Sequence, residues 1–188
     1  MRNSLLLFVF LGLISCQSNS NTQESIVDDM KLENLELVEI YNMDQADRKT
    51  DSIDWKVVWK KDSLRQVRVY ELLDSNKVIT SIDYRNAAMI FQHGRDSISY
   101  GMAVKLMRKS IELDSTASKW LLAAAIDRYL LSKGEAQIYG TQYEKNGDEP
   151  WKLSRIDTTK ISDKERIKYG VETLAEQLET VKKLNKED

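Results

Sequence analysis

The chain has 188 residues, and its 30 acidic and 28 basic side chains leave a formal net charge of −2. Basic and acidic residues are interspersed, so the sequence lacks the concentrated basic footprint that nucleic-acid binding needs. With one proline and seven glycines, the composition favours helices over a turn-rich β architecture.

The first sixteen residues, MRNSLLLFVFLGLISC, have the pattern of an export signal. Arg2 precedes an apolar run from Leu5 to Ile14. A run of roughly ten residues suits a signal peptide, whereas a membrane-spanning helix needs about 20. The run ends in LISC, which resembles the lipobox of bacterial lipoproteins. That resemblance implies cleavage before Cys16, a diacylglycerol thioether on its sulfur and acylation of its new amine. The alternatives are an ordinary secretory peptide with a chance cysteine, or an uncleaved anchor.

The lipoprotein interpretation divides the chain into three segments. Residues 1–15 form the signal peptide, 16–30 the lipidated cysteine with a polar, flexible tether, and 31–188 one helical domain. Because Cys16 is the only cysteine, no thiol remains for a disulfide, a metal site or a nucleophile. Each buried acyl methylene contributes about 0.8 kcal/mol, so several chains would anchor the protein stably. We therefore expect a lipid-anchored protein of the bacterial cell envelope, with its domain outside the cytoplasm.

The first predicted helices follow the tether. Apolar residues at three-residue spacing predict an amphipathic helix over 31–44, with an inward stripe of Leu32, Leu35, Val38 and Tyr41 that Leu37 supplements. Trp55 and Trp59, four residues apart, would share one helical face, although a short strand is the alternative. Asp62-Ser63 would then cap a helix that ends near Leu73. The expected inward residues of that helix are Leu64, Val67 and Leu72.

Three further helices are predicted in the middle of the chain. The first is capped by Thr80 or Ser81 and stops at Gly94. The second starts near Ser97. The third is apolar without a break from Trp120 to Ile126, so it should be buried on most sides, and Gly134 ends it. The expected core residues of the first and second of these helices are Ala87, Ala88, Ile90, Phe91, Ala103, Leu106, Met107, Ser110 and Ile111.

A β-hairpin and a last helix complete the prediction. Residues 136–143 and 150–156 flank an Asn-Gly turn signal and are interpreted as the two strands. Ser162 and Glu165 have the spacing of a capping box. The helix that they open would run to about Leu184 through Ile167, Val171, Leu174, Leu178 and Val181. The expected fold is mainly α, a single helical domain of about five to six helices with helix-hairpin packing and one small β-hairpin.

Several short polar motifs are spread along the chain. Their residues are Asp44, Gln45, Arg48, Gln92, His93, Gly94, Asp127, Arg128, Gln137, Tyr139, Gly140, Thr141, Gln142, Arg166 and Gly170. Together these motifs resemble a bacterial family known as the domain of unknown function numbered 6624, over about Lys31 to Leu178. The resemblance brings no activity, but it implies that these motifs belong together.

Asp127 and Arg128 need partners because they follow seven apolar residues in a helix that should be buried. An unpaired buried charge would cost several kcal/mol. Arg48 or Arg166 could pair with Asp127, and Asp44 or the hairpin glutamines with Arg128. In a strand, Gln137, Tyr139 and Thr141 would share one face. We expect that face to pack on the Asp127 helix and on the end of the His93 helix.

Two functional hypotheses follow from these polar residues. The first is a non-catalytic module that binds an envelope protein or a small polar ligand. The second is an envelope hydrolase or transferase with a pocket of His93, Asp127, Arg128 and Gln137. A phosphate-binding glycine loop, a G-x-S-x-G elbow and an H-E-x-x-H motif are all missing from the sequence. We expect no cofactor and no metal, and we favour the binding module.

Overall fold

Seven helices and one two-stranded sheet make up residues 33–187, the part of the chain that this computed structural model describes. The helices are α1 (Leu35–Ala46), α2 (Trp55–Asp74), α3 (Ser81–Gln92), α4 (Ser97–Leu113), α5 (Trp120–Ser132), α6 (Asp163–Lys168) and α7 (Leu174–Glu187). The strands β1 (Tyr143–Glu144) and β2 (Lys152–Leu153) lie between α5 and α6. The predicted mainly α fold with one small hairpin is confirmed. The predicted signal peptide, Cys16, the whole predicted tether and Leu32 lie outside the described residues.

Helix α1 begins after Asn34, whose side chain accepts a hydrogen bond from the Leu37 amide (3.0 Å). The predicted inward stripe is wrong at Leu35, which is 76% exposed, whereas Val38 and Tyr41 are half-buried. The buried positions are Leu37, which was expected to supplement the stripe, together with Ile40 and Asp44. These positions have helical spacing, but one of the three is a carboxylate, so apolar residues alone indicated the wrong face.

Helix α2 is one continuous helix that begins at Trp55, capped by Asp54. The predicted cap at Asp62-Ser63 is wrong, and the expected inward residues Leu64 and Val67 are 63% and 58% exposed. Trp55 and Trp59 do lie on one helix, as the helical alternative predicts. The inward face is part polar and comprises Val58, Asp62, Arg65, Val69 and Leu72.

Helices α3, α4 and α5 form the core and match their predicted bounds closely. Thr80 and Asp83 make a capping box at the start of α3. Helix α3 packs against α1 and α4, and α4 packs against α5. The largest buried apolar side chains include Leu37, Val69, Leu72, Ile90, Phe91, Leu106, Met107, Leu121 and Leu122. Five consecutive buried residues, Leu121–Ala125, confirm that α5 is enclosed on most sides at its start.

The hairpin is shorter than predicted. Tyr143 pairs with Leu153 and Glu144 with Lys152, and Gly147 has a positive φ in the turn between them. Residues 137–142, predicted as strand, form a loop whose ends alone bond to the second half of the hairpin: Gln137 forms an isolated bridge with Ile156, and the Gln142 carbonyl accepts from the Ser154 amide. Between these ends the amides of Ile138, Tyr139 and Thr141 bond to a side chain of α5 instead of a strand. This segment is called the 137–142 loop.

The predicted last helix is two helices, which accounts for the larger helix count. Gly170 (φ 71°) ends α6, and the amides of Gly170 and Val171 bond to the carbonyls of Ile167 and Arg166. This is the hydrogen-bond pattern of a Schellman motif. Ile167 and Leu178, expected to face inward, are largely exposed. Within residues 33–187, no helix combines the length and the apolar content needed to cross a bilayer.

Two leucines of α2 test its observed orientation. Leu72→Ala should lower the free energy of unfolding by about 2–5 kcal/mol, because Leu72 is 1% exposed and its removal leaves a cavity. Leu64→Ala, the same change at a position that the sequence assigned to the core, should stay within about 0.5 kcal/mol. Urea denaturation of the two variants provides the comparison. Equal losses would contradict the orientation of α2.

Candidate functional site

The first polar cluster is centred on Asp127, which is completely buried in α5. Its Oδ1 accepts hydrogen bonds from the amides of Ile138 and Tyr139, both at 2.9 Å. Its Oδ2 accepts from the Thr141 amide (2.9 Å) and hydroxyl (2.8 Å). The predicted partners, Arg48 or Arg166, are wrong. Four donors of the 137–142 loop stabilise this buried charge instead, since hydrogen bonds to an ionised group are the stronger kind.

Arg166 of α6 binds carbonyl groups of the same loop. Its Nε and Nη2 donate to the carbonyls of Tyr139 and Ile138, each at 3.1 Å. Its Nη1 donates to the Ile161 carbonyl (2.9 Å) and to Asp163 (3.1 Å). Arg166 is 2% exposed, so these acceptors replace its hydration. A carboxylate holds the loop amides and a guanidinium holds the loop carbonyls, and together they connect α5, the loop and α6.

The glutamines of the loop are satisfied within it. Gln137, completely buried, donates to the carbonyls of Gln142 and Ser154 (both 2.9 Å) and accepts from the Gln142 amide (3.0 Å). The Gln142 side chain donates to the Thr141 hydroxyl (2.9 Å). Gln137, Tyr139, Thr141 and Gln142 therefore form a polar seam with Asp127, in which Thr141 and Gln142 are half-buried and the others are buried. The expected contact of this segment with Asp127 is present, whereas no hydrogen bond within residues 33–187 joins it to His93.

Gly140 and Gln177 show why the loop fits so closely. Gly140 has φ 86°, and a side chain there would collide with Oε1 of Gln177. Gln177 itself is 1% exposed and donates to the carbonyls of Tyr139 (2.8 Å) and Glu172 (3.0 Å). Sequence reasoning missed Gln177, because a single glutamine in an amphipathic helix carries no signal of burial.

The second polar cluster is centred on Asp44, buried at the end of α1. His93 Nδ1 lies 2.9 Å from its carboxylate, Arg48 Nη1 2.8 Å and Gln45 Nε2 2.9 Å. Because an ionised carboxylate only accepts hydrogen bonds, Nδ1 of His93 carries the hydrogen. The motifs around residues 44–48 and 92–94 are thus brought together, as the sequence suggested, but apart from the Asp127 cluster.

Helix α2 completes the Asp44 cluster. Arg48 Nη2 lies 2.6 Å from one oxygen of Asp62, and Arg65 Nη1 lies 3.0 Å from the other. Arg65 also pairs with Asp47, and Lys61 lies 2.7 Å from that carboxylate. Hydrogen bonds from Arg65 and Lys61 lower the pKa of Asp47. Sequence reasoning missed Asp62 and Arg65, although their spacing with Val58, Val69 and Leu72 places them on one helical face.

A pocket of about 350 Å³ lies beside the Asp44 cluster. The ends of α1 and α3, the first half of α2, the start of α4 and the middle of α5 contribute to it. Its lining residues are Arg48, Trp55, Trp59, Asp62, His93, Gly94, Arg95, Tyr100 and Arg128. Of the four residues proposed from the sequence for an enzyme pocket, His93 and Arg128 line it, whereas Asp127 and Gln137 belong to the polar seam.

Arg128 stands out among the lining residues. Its Nε is shielded from solvent without a hydrogen-bond partner, and within residues 33–187 its guanidinium makes no hydrogen bond or ion pair. The predicted partners, Asp44 or the hairpin glutamines, are wrong. One residue along a helix is a rotation of about 100°. Asp127 therefore faces the 137–142 loop while Arg128 faces the pocket.

Gln92, the remaining residue proposed from the sequence, lies away from the pocket. Gln92 is buried at the end of α3, and its Oε1 has no partner within the described residues. It does not line the pocket. In the part of the chain that the structure describes, no three His, Cys, Asp or Glu side chains are grouped so that they could hold a metal ion.

Comparisons with known proteins identify no relative. No family model matches the chain, and no curated protein or solved structure is significantly similar to it.

The polar seam generates a prediction at Gln137. Gln137→Ala should lower the free energy of unfolding by about 1–3 kcal/mol, because it leaves the buried Ser154 carbonyl without its donor and the Gln142 amide without its acceptor. Gln142→Ala removes only the bond to Thr141 from a half-buried position and should cost less than about 1 kcal/mol. Chemical denaturation measures both. A change near zero for Gln137→Ala, beside a large loss for Asp127→Ala, would show that Gln137 does not stabilise the seam.

Proposed function

We propose that the protein is a bacterial envelope lipoprotein whose helical domain is a non-catalytic receptor for a small polar ligand. The anchor is Cys16, acylated after cleavage of residues 1–15. The LISC pattern and the position of the chain's only cysteine support this part of the proposal. The similarity to the domain of unknown function numbered 6624 stays a prediction and adds no activity.

The pocket beside the Asp44 cluster is the proposed ligand site. The observation that carries this proposal is the Arg128 guanidinium, which lines an open pocket and has no partner within residues 33–187. The volume of about 350 Å³ lies at the lower end of the roughly 300–1,000 Å³ that small-molecule sites occupy. A small ligand therefore suits the pocket better than a segment of an envelope protein.

The binding role is preferred over catalysis because the pocket offers no conventional nucleophile. Among its nine lining residues there is no serine, threonine or cysteine. A carboxylate that orients a histidine is nevertheless an arrangement that general-base catalysis uses. The 2.9 Å contact between Asp44 and His93 thus favours a second candidate, a hydrolase in which His93 activates water.

The anchor is tested by Cys16→Ser. This variant should lose fatty-acid attachment and accumulate as uncleaved precursor or as protein released from the membrane, because both lipid modification and cleavage depend on the cysteine. Metabolic labelling with a fatty acid and fractionation of the membranes measure the two effects. Labelling that persists in Cys16→Ser would contradict the assignment of the anchor.

The receptor role is tested by a ligand-observed NMR screen of small polar compounds against the full-length protein. We expect a bound compound to be recovered chemically unchanged after prolonged incubation. Trp55→Ala should weaken its binding about three- to tenfold through loss of an aromatic contact. Trp120→Ala, a tryptophan of similar exposure outside this pocket, is the matched control and should have no effect.

Two outcomes of the screen would contradict the receptor role. The absence of any binder would reject the pocket as a ligand site. Conversion of a bound compound by the native protein, abolished in His93→Gln, would establish the hydrolase instead.

A further inference from the structure

The Arg128 side chain presents donors that the described protein does not use. A guanidinium has five N–H groups arranged in a planar fork, and no hydrogen bond or ion pair reaches them within residues 33–187. A buried donor without an acceptor is destabilising, more so when it is charged. Two coplanar oxygens of a carboxylate or phosphate match this fork better than any neutral group.

The other charges around the pocket leave its positive charge uncompensated. Asp62, the one carboxylate of the lining, has one oxygen bonded to Arg48 and the other to Arg65. Arg48 is in turn bonded to Asp44 and Asp62. Arg128 and Arg95 therefore add two positive charges to a lining whose remaining ionised groups neutralise one another.

Aromatic residues form the other wall of the pocket. Trp55 and Trp59 are 48% and 40% exposed, and both line it together with Tyr100. The Arg95 guanidinium lies 3.9 Å from the centre of the Trp59 ring and makes no ion pair in the described part of the chain. A cation held against an aromatic face in this way keeps its donors near the pocket. The half-exposed rings suit the flat or apolar body of a ligand.

We infer that the ligand of this pocket is a small organic anion, whose carboxylate or phosphate oxygens bind Arg128 and whose flat body contacts Trp55 and Tyr100. This inference rests on the proposed receptor function and specifies its ligand class. Arg95 contributes a second positive charge, and His93 offers the ring nitrogen that does not face Asp44.

Titration calorimetry with four probes tests the inference on the full-length protein. Benzoate and phenyl phosphate carry the two anionic groups, benzamide is the uncharged counterpart of benzoate, and benzylamine is a cation. We expect one or both anions to bind, and benzamide and benzylamine to bind at least tenfold more weakly. The tighter anion identifies whether the natural ligand carries a carboxylate or a phosphate.

Two arginine variants connect the binding to Arg128. Arg128→Gln should weaken the binding of the anion at least tenfold, because a charged hydrogen-bond partner is lost. Arg85→Gln removes the same charge from α3 outside the pocket and should change the affinity less than about twofold. The ¹⁵N resonance of Arg128 Nε in the native protein provides a readout that does not depend on how the variant folds. It should shift when benzoate or phenyl phosphate is added.

The outcomes separate this inference from the receptor proposal. Benzamide or benzylamine binding as tightly as the anions, with a change in Trp55 and Trp59 fluorescence, would overturn the ligand class and leave the pocket as a receptor site. An unchanged anion affinity in Arg128→Gln, with an unmoved Nε resonance, would also overturn it. The absence of binding by all four probes at roughly 10 mM would count against both proposals.

Discussion

The C-terminal half of the fold depends on the burial of one carboxylate that makes no ion pair within residues 33–187. Asp127 is completely enclosed in α5 and is stabilised by four donors of the 137–142 loop. Arg166 then binds the carbonyls of Ile138 and Tyr139 in the same loop. Neither ion could be buried alone, because its desolvation would cost several kcal/mol. The loop, α5 and α6 must therefore assemble together.

The direction of the Asp127 side chain toward the loop determines which way the next residue, Arg128, faces. Since adjacent helical residues differ in direction by about 100°, Arg128 faces the other side of α5 and lines the pocket. The same pocket is lined by His93, which Asp44 orients from the end of α1. The polar motifs thus separate into a seam that holds the structure together and a pocket with an unused guanidinium. The same helix turn serves both.

The helices that the sequence predicted well are those with local signals. The capping box of Thr80 and Asp83 and the unbroken apolar run that begins at Leu121 are each recognisable from a few consecutive residues. The prediction was wrong where a polar residue occupies an inward position, as Asp44 does in α1 and Asp62 and Arg65 do in α2. Hydrophobic periodicity treats such residues as solvent-exposed, and it then assigns Leu35, Leu64 and Val67 to the core instead.

The sequence by itself determined the helical class, the position of the hairpin turn, and the need of Asp127 and Arg128 for partners. It also indicated which motifs carry the polar groups, including Asp44, His93 and Arg166. Only the tertiary structure decided which groups meet. Asp127 bonds to backbone amides and Asp44 to Arg48 and His93, whereas Arg128 remains without a partner in the described chain. The reason is physical. A buried charge requires polar or oppositely charged partners, and backbone groups, ions or ligands can all provide them. Which of these a charge contacts depends on distances across the fold, which the sequence does not give.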